Sequence, residues 1–221
     1  MKIPEQWTFR SADIATEFDR HVRSHLPWYD IATTAVRDVV SQFLPLGGHV
    51  YDIGAANGNV GRAIAVLLES RAASLTAIEP SEQMAATYRG PGAVRIKRAE
   101  DFDWCPFDVA VSMLSLMFIP PGRRGKVLSQ IMSSCRPGGC LVAIEKMQPP
   151  TGYAGTVTMR LGLLAKAAAG VSHEEIAAKE LSLSGMQRPM CRSEFESIGI
   201  VSDFFRYGDF AGYIIEPRNG R

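Results

Sequence analysis

Two carboxylates placed at the ends of apolar runs are the first residues in this chain whose type and spacing suggest chemistry. Asp52 closes the run HVYDI, and the loop Gly54-Ala55-Ala56-Asn57-Gly58 leads from it into the helix-like VGRAIAVLLES. Glycines let backbone pass close to a ligand, and the first N–H groups of a helix are free to meet one. The spacing is not the G-x-G-x-x-G that cradles a pyrophosphate, in any frame of 54–61. An anion at this position suits a ligand that carries a cation and no phosphate. Glu79 ends the second apolar run, SLTAIE, about 25 residues beyond the glycine turn, where a carboxylate can accept from both hydroxyls of a ribose. Its plainer reading is a surface acid in front of the helix start at Pro80-Ser81. RAEDFDW, residues 98–104, adds an acidic loop after a third run, to be read as a ligand wall or as a solvated turn.

The other reactive side chains give less. His21 and His25 stand four apart and share a helix face, but no third ligand is visible in the sequence, so no metal is expected. His173 sits second in a capped helix, as a base or as a solvated side chain. Tyr153, Arg160, Arg188 and Arg192 are unranked candidates for holding an anionic acceptor. Cys105, Cys135, Cys140 and Cys191 have no CxxC spacing and read as reduced, mostly buried thiols. No nucleophile or general base can be assigned, so the catalytic residues stay unknown.

The elements that must position these groups alternate. DIATTAVRDVVSQFL repeats apolar residues at helical spacing, after a shorter polar helix, FDRHVRSHL, that Pro27 interrupts. HVYDI, SLTAIE, AVRIK, FDVAVSML and CLVAIEK read as strands, the last one following an Arg-Pro-Gly-Gly turn. Between them lie VGRAIAVLLES, SEQMAATYR with Ser81 as N-cap, and RRGKVLSQIMSSC as helices. Such alternation predicts a parallel sheet covered on both faces. Residues 156–182 are then largely helical, with Ser172 and Glu175 spaced as a capping box, and a second box at Ser193 and Glu196 opens RSEFESIGI. VSDFFRYG and DFAGYIIEP finish as an antiparallel pair around a tight Gly-Asp turn.

Composition bounds the rest. The 221 residues, 46% hydrophobic and 21% charged with net charge +1, make one sizeable domain. No basic excess calls for nucleic acid as an obligatory partner. No run approaches a membrane span, and MKIPEQWTFR reads as no secretory leader, so a soluble, cytoplasmic chain is expected.

The order D-x-G-x-x-x-G, Glu79, the 98–101 loop and the fourth and fifth strands resembles the class I S-adenosylmethionine-dependent methyltransferases over residues 48–146, with Ala56 in place of a middle glycine. WTF, PWYD, IEK, GVSHEEIAAKELSL and FFRYGDFAGYIIEP resemble, more narrowly, carboxy-S-adenosylmethionine synthases and their plain methyltransferase relatives. This resemblance implies an α/β, Rossmann-like, seven-stranded and mostly parallel sheet with an antiparallel edge pair. It divides one methyltransferase domain, 1–221, into an N-terminal helical lid (1–45), a cofactor-binding core (46–146), a lid insertion (151–190) and a C-terminal helix with strands (191–221). It implies S-adenosyl-L-methionine as cofactor, held by Tyr29, Asp52, Gly54, Ala56, Gly58, Glu79, Ala99, Glu100 and Ser112. Tyr29 would gate the methionine part, and the loop at Ala99 with Glu100 or Asp101 would meet the adenine.

The synthases follow the lid Ile-x-x-Lys with an arginine that holds a carboxylate. Here Ile176-Ala177-Ala178-Lys179 is followed by Glu180, which would repel that group unless Arg188 or Arg192 reaches the same spot. The expectation is methyl transfer to a small-molecule acceptor, with carboxy-cofactor synthesis and non-catalytic cofactor binding as the rivals. The subgroup also implies a homodimer through the apolar helix TMRLGLLAKAAAG.

Overall fold

The computed structural model describes residues 3–218; the domain expected over 1–221 runs outside them at both ends. Two helices open the chain, α1 (Ala12–His25) and α2 (Tyr29–Phe43). Pro27 stands in the gap between them, where its missing N–H breaks the ladder. Strand β1 (His49–Ile53) leads through the glycine turn to α3 (Asn59–Ala63) and α4 (Ala65–Ser70), a pair broken at Ile64 where the periodicity predicts one helix. Then come β2 (Ser74–Ile78), α5 (Glu82–Ala86) and β3 (Ala93–Arg95). Ser81 caps α5 as expected, its hydroxyl accepting the Met84 N–H at 3.2 Å. The core closes with β4 (Phe107–Met113), α6 (Pro121–Ser134) and β5 (Cys135–Lys146). The Arg-Pro-Gly-Gly stretch expected as a turn lies inside β5, where the register against β4 slips between Phe107 and Val109.

Helices α7 (Tyr153–Ala168) and α8 (His173–Ser182) form the insertion, and α9 (Arg192–Glu196), β6 (Ile200–Tyr207) and β7 (Phe210–Glu216) complete the chain. Two caps differ from expectation. Ser172 accepts the Glu175 N–H, but the Glu175 carboxylate turns to His25 instead of back to the cap. The box opening α9 is Cys191 with Glu194, two residues earlier than Ser193 with Glu196.

The seven strands run in the order β3-β2-β1-β4-β5-β7-β6. Pairings are parallel from β3 to β5, and β7 is antiparallel to both β5 and β6. Every residue of β4 is buried, as expected of a central strand covered on both faces. Ile53, Phe107, Leu128, Ile131 and Phe195 pack one face, and Val36, Val40, Val50, Ile64 and Val142 the other. The chain order reverses between β1 and β4, which opens a crevice beyond their carboxyl ends. Over it sit the lid segments, joined by the Trp7 N–H to the Ser182 carbonyl at 2.9 Å and by His25 to Glu175 at 3.1 Å. No described helix is long and apolar enough to cross a membrane.

Candidate active site

A cavity of about 990 Å³ fills this crevice. One wall is the strand edge, with Asp52, Gly54, Ala56, Glu79, Ala99 and Glu100; the other is the lid, with His21, His25, Lys166, Lys179 and Glu180, beside Lys146 at the end of β5.

The glycine turn is tied to the end of β2. The Gly54 and Ala55 N–H groups both reach the Ile78 carbonyl, at 2.8 and 3.1 Å. The Ala56 N–H donates to Glu79 Oε2 at 2.8 Å, and Ser81 N–H to Oε1 at 2.8 Å. Glu79 is therefore no surface acid: it is 5% exposed, and burial raises its pKa against those two donors. Each of its oxygens keeps a lone pair for a further donor. Gly54 has φ +70° and lies so close to Ser115 that a Cβ would collide with its side chain. Ala56 has φ +48°, in the left-handed region that costs a residue with a Cβ roughly 1–2 kcal/mol.

Asp52 is 1% exposed, and its Oδ2 is buried with no hydrogen-bond partner among the described residues. Burial, then the Glu79 carboxylate, push its pKa up to about 7, with the Gly61 N–H pulling the other way. A buried carboxylate oxygen without a donor is costly, and its natural complement is a ligand cation. Tyr29 lines the cavity at the start of α2, 5% exposed, with the Arg23 guanidinium 5.4 Å from its ring centre. Burial raises its hydroxyl pKa strongly.

Ala99 and Glu100 lie in a short 3-10 turn and face the cavity with Arg98. Asp101, the alternative to Glu100, is instead engaged by Arg98 Nε at 2.7 Å and does not line the cavity.

Two expected site residues do not reach the cavity. Gly58 has φ +89° and packs on the 88–90 turn, where a Cβ would meet the Gly90 nitrogen at 2.6 Å; its glycine serves the fold of the turn. Ser112 is fully buried and donates its hydroxyl to Glu145 Oε1 at 2.7 Å. Glu145 is the residue the sequence reasoning missed. It is fully buried, and its carboxylate accepts the N–H groups of Ser115, Leu116 and Met117 at 3.2, 2.9 and 3.2 Å. Burial lifts its pKa to about 7 against these donors. It thereby shapes the loop after β4 from which Leu114, Ser115 and Met117 line the cavity. An acid directly after the apolar run CLVAI, at the end of the fifth strand, was the available signal.

The lid wall revises the reading of Glu180. Its carboxylate is bound by Lys166 Nζ at 2.5 Å and by Lys146 Nζ at 3.6 Å. Burial opposes its charge, but the two lysines outweigh burial and hold its pKa below the ordinary value. Two cations around one anion leave this wall with a positive balance. Arg188 and Arg192 do not line the cavity. Arg192 is paired with Glu196 and Asp203 on the surface. Tyr153, Arg160 and His173 are exposed and outside it as well. Lys179, 8% exposed, sits over the Trp7 ring, and burial with Lys166 nearby pulls its pKa down to about 6. His21 stacks on Trp7 with ring centres 5.2 Å apart; burial and then His25 drive its pKa down to about 3.

Comparison with known proteins places this geometry. Residues 51–143 match the family model described as a methyltransferase domain. The chain therefore carries a methyltransferase domain over its cofactor-binding core, on the sheet order described above. It is 26% identical to the carboxy-S-adenosyl-L-methionine synthase of Staphylococcus epidermidis, over 96% of this chain and 97% of that protein. It is 28% identical to that of Chromohalobacter salexigens, over 89% and 78%. Among solved structures, DhpI in its SAH complex has a TM-score of 0.62 at 14% identity, over 94% of this chain and 93% of that chain. Human N-acetylserotonin methyltransferase, in complex with SAM, scores 0.61 at 11% identity over 95% and 57%. At such identities these two share the fold.

Proposed function

We infer that the protein transfers the methyl group of S-adenosylmethionine directly to a small-molecule acceptor. The observation that carries this reading is the cavity that joins the buried, donor-less oxygen of Asp52 and the fixed carboxylate of Glu79 to a separate lid wall. The donors and acceptors present fit the cofactor. Asp52 would meet its ammonium, Glu79 its ribose hydroxyls, the 98–100 turn its adenine, and Tyr29 the methionine arm, with Gly54 and Ala56 supplying backbone beside it.

When bound, the cofactor supplies a methyl carbon activated by positive sulfur. The acceptor's lone pair would take that methyl, with S-adenosylhomocysteine as the leaving group and any acceptor proton lost to solvent. The chain's part is alignment and exclusion of water. The loop held by Glu145 fixes one side of the cavity, and the lid helices close the other. A labelled-methyl assay on fractionated small-molecule extracts tests this. One acceptor gaining a single CH₂ with formation of S-adenosylhomocysteine supports it, and binding without turnover on any fraction contradicts it.

A second reading, carboxy-cofactor synthesis, is favoured by the relatives that match nearly end to end and by the lysine pair at Glu180. Lysine would then hold the carboxylate where the synthases use arginine. Conversion of prephenate to phenylpyruvate in the presence of the cofactor tests that reading. The exposed Val157, Leu161 and Leu164 of α7 are where a homodimer contact would form, which sedimentation of the protein checks.

A further inference from the structure

The histidine pair on α1 gains in the structure the third ligand that the sequence lacks. Among the described residues, a nitrogen of His21, a nitrogen of His25 and a carboxylate oxygen of Glu175 lie within 4.8 Å of one another. His25 Nε2 is 3.1 Å from Glu175 Oε1, close to the separation that two ligands of one small cation adopt. The pair comes from successive turns of one helix and the carboxylate from the first turn of α8, so the cluster joins two lid elements. Both imidazoles are more than nine-tenths buried, at 8% and 5% exposure. His21 Nε2 and His25 Nδ1 have no hydrogen-bond partner among the described residues, although buried imidazole nitrogens are normally satisfied. Both rings also line the large cavity.

We propose that His21, His25 and Glu175 form a three-ligand site for a divalent transition metal of the zinc class, with its open coordination position toward the cavity. Two imidazoles and one carboxylate with a vacant fourth place is the donor set of zinc sites that take up a further ligand, not of closed structural sites. The Lys166 ammonium stands near, paired with Glu180, and the Glu175 carboxylate offsets its charge where two neutral rings alone would not. The proposal is independent of methyl transfer, because it concerns a different wall of the cavity.

The test uses untagged, chelator-stripped protein titrated with cobalt(II), read by visible absorption, and then displaced with zinc. About one equivalent of cobalt should bind, with the strong visible bands of a low-coordinate site. His21→Ala and His25→Ala should each lose more than about 100-fold in affinity, beyond the loss expected for a supporting contact. Glu175→Ala, at a half-buried and less structural position, should weaken binding as well, which keeps the test decisive if a histidine variant does not fold. His173→Ala, on the same helix but outside the cluster, should bind like the wild type. Absence of the bands, binding unchanged in the three ligand variants, or thiolate charge-transfer bands would overturn the site. Binding of S-adenosylhomocysteine, measured in parallel, reports separately on the cofactor wall.

Discussion

Replacing Asp52 by Asn separates what the fold wants from what the site wants. The carboxyl is fully buried, and its pKa rises from 3.8 to about 7, chiefly through burial and then through Glu79. At about 1.4 kcal/mol for each tenfold change in proton affinity, this amounts to about 4 kcal/mol. An acid whose folded pKa is raised binds its proton more tightly when folded, so the contribution of Asp52 to the stability of the ligand-free protein is most favourable below about pH 4. That contribution falls as pH rises from there to about 7 and then levels off.

Asn keeps the shape without the charge. In urea unfolding, Asp52→Asn should match the wild type near pH 4 and exceed it by up to about 4 kcal/mol at pH 8, losing that part of the pH slope. The same variant should bind S-adenosylhomocysteine about 100-fold more weakly at pH 8. In the wild type, affinity should fall about tenfold per pH unit below 7, because the ammonium requires the ionised carboxylate. A variant no more stable than wild type at pH 8, or one that binds the cofactor equally well, would refute the reasoning.

Gly58→Ala should cost about 2–4 kcal/mol in the same unfolding assay, because the new Cβ meets the Gly90 backbone in a left-handed conformation. Ala56→Gly should instead stabilise by about 0.5–1 kcal/mol, since relief at φ +48° exceeds the added entropy of the unfolded chain. Glu145→Gln keeps one acceptor oxygen and turns an amide toward a backbone N–H. It should cost about 1–3 kcal/mol and weaken cofactor binding through the 114–117 loop, which calorimetry would detect. Glu180→Gln should lower stability by about 1 kcal/mol or less, because the partly exposed carboxylate is screened. That difference should be present above the ordinary carboxylate pKa and vanish on acidification, as urea curves at several pH values would show.

Much of this arrangement is written locally, and those parts are legible in the sequence. The alternation of strand and helix runs, the strand-end positions of Asp52 and Glu79, and the Ser81 cap all depend on residues close in the chain. The antiparallel β6–β7 pair is announced by its Gly-Asp turn in the same way. What the sequence hides depends on contacts made across the fold. Gly58 looks like a ligand glycine because a left-handed turn and a close approach need the same residue, and only the packing of Tyr88 and Gly90 tells them apart. Ser112 sits at the expected strand end, but the buried Glu145 claims its hydroxyl. Glu180 reads as a repulsive charge until Lys146 and Lys166, 34 and 14 residues earlier in the chain, close on it. Glu175 reads as half of a capping box, yet it faces a histidine 150 residues away.

In the function we infer, Asp52, Glu79 and the 98–100 turn form the cofactor site. Calorimetric titration of the purified protein with S-adenosylmethionine, together with a mass spectrum of whatever small molecule it releases on denaturation, tests this most directly. Saturable binding with about one site per chain, lost in Glu79→Ala, and release of S-adenosylmethionine or S-adenosylhomocysteine are expected. No binding to the added cofactor, or binding unaffected by Glu79→Ala, would contradict it.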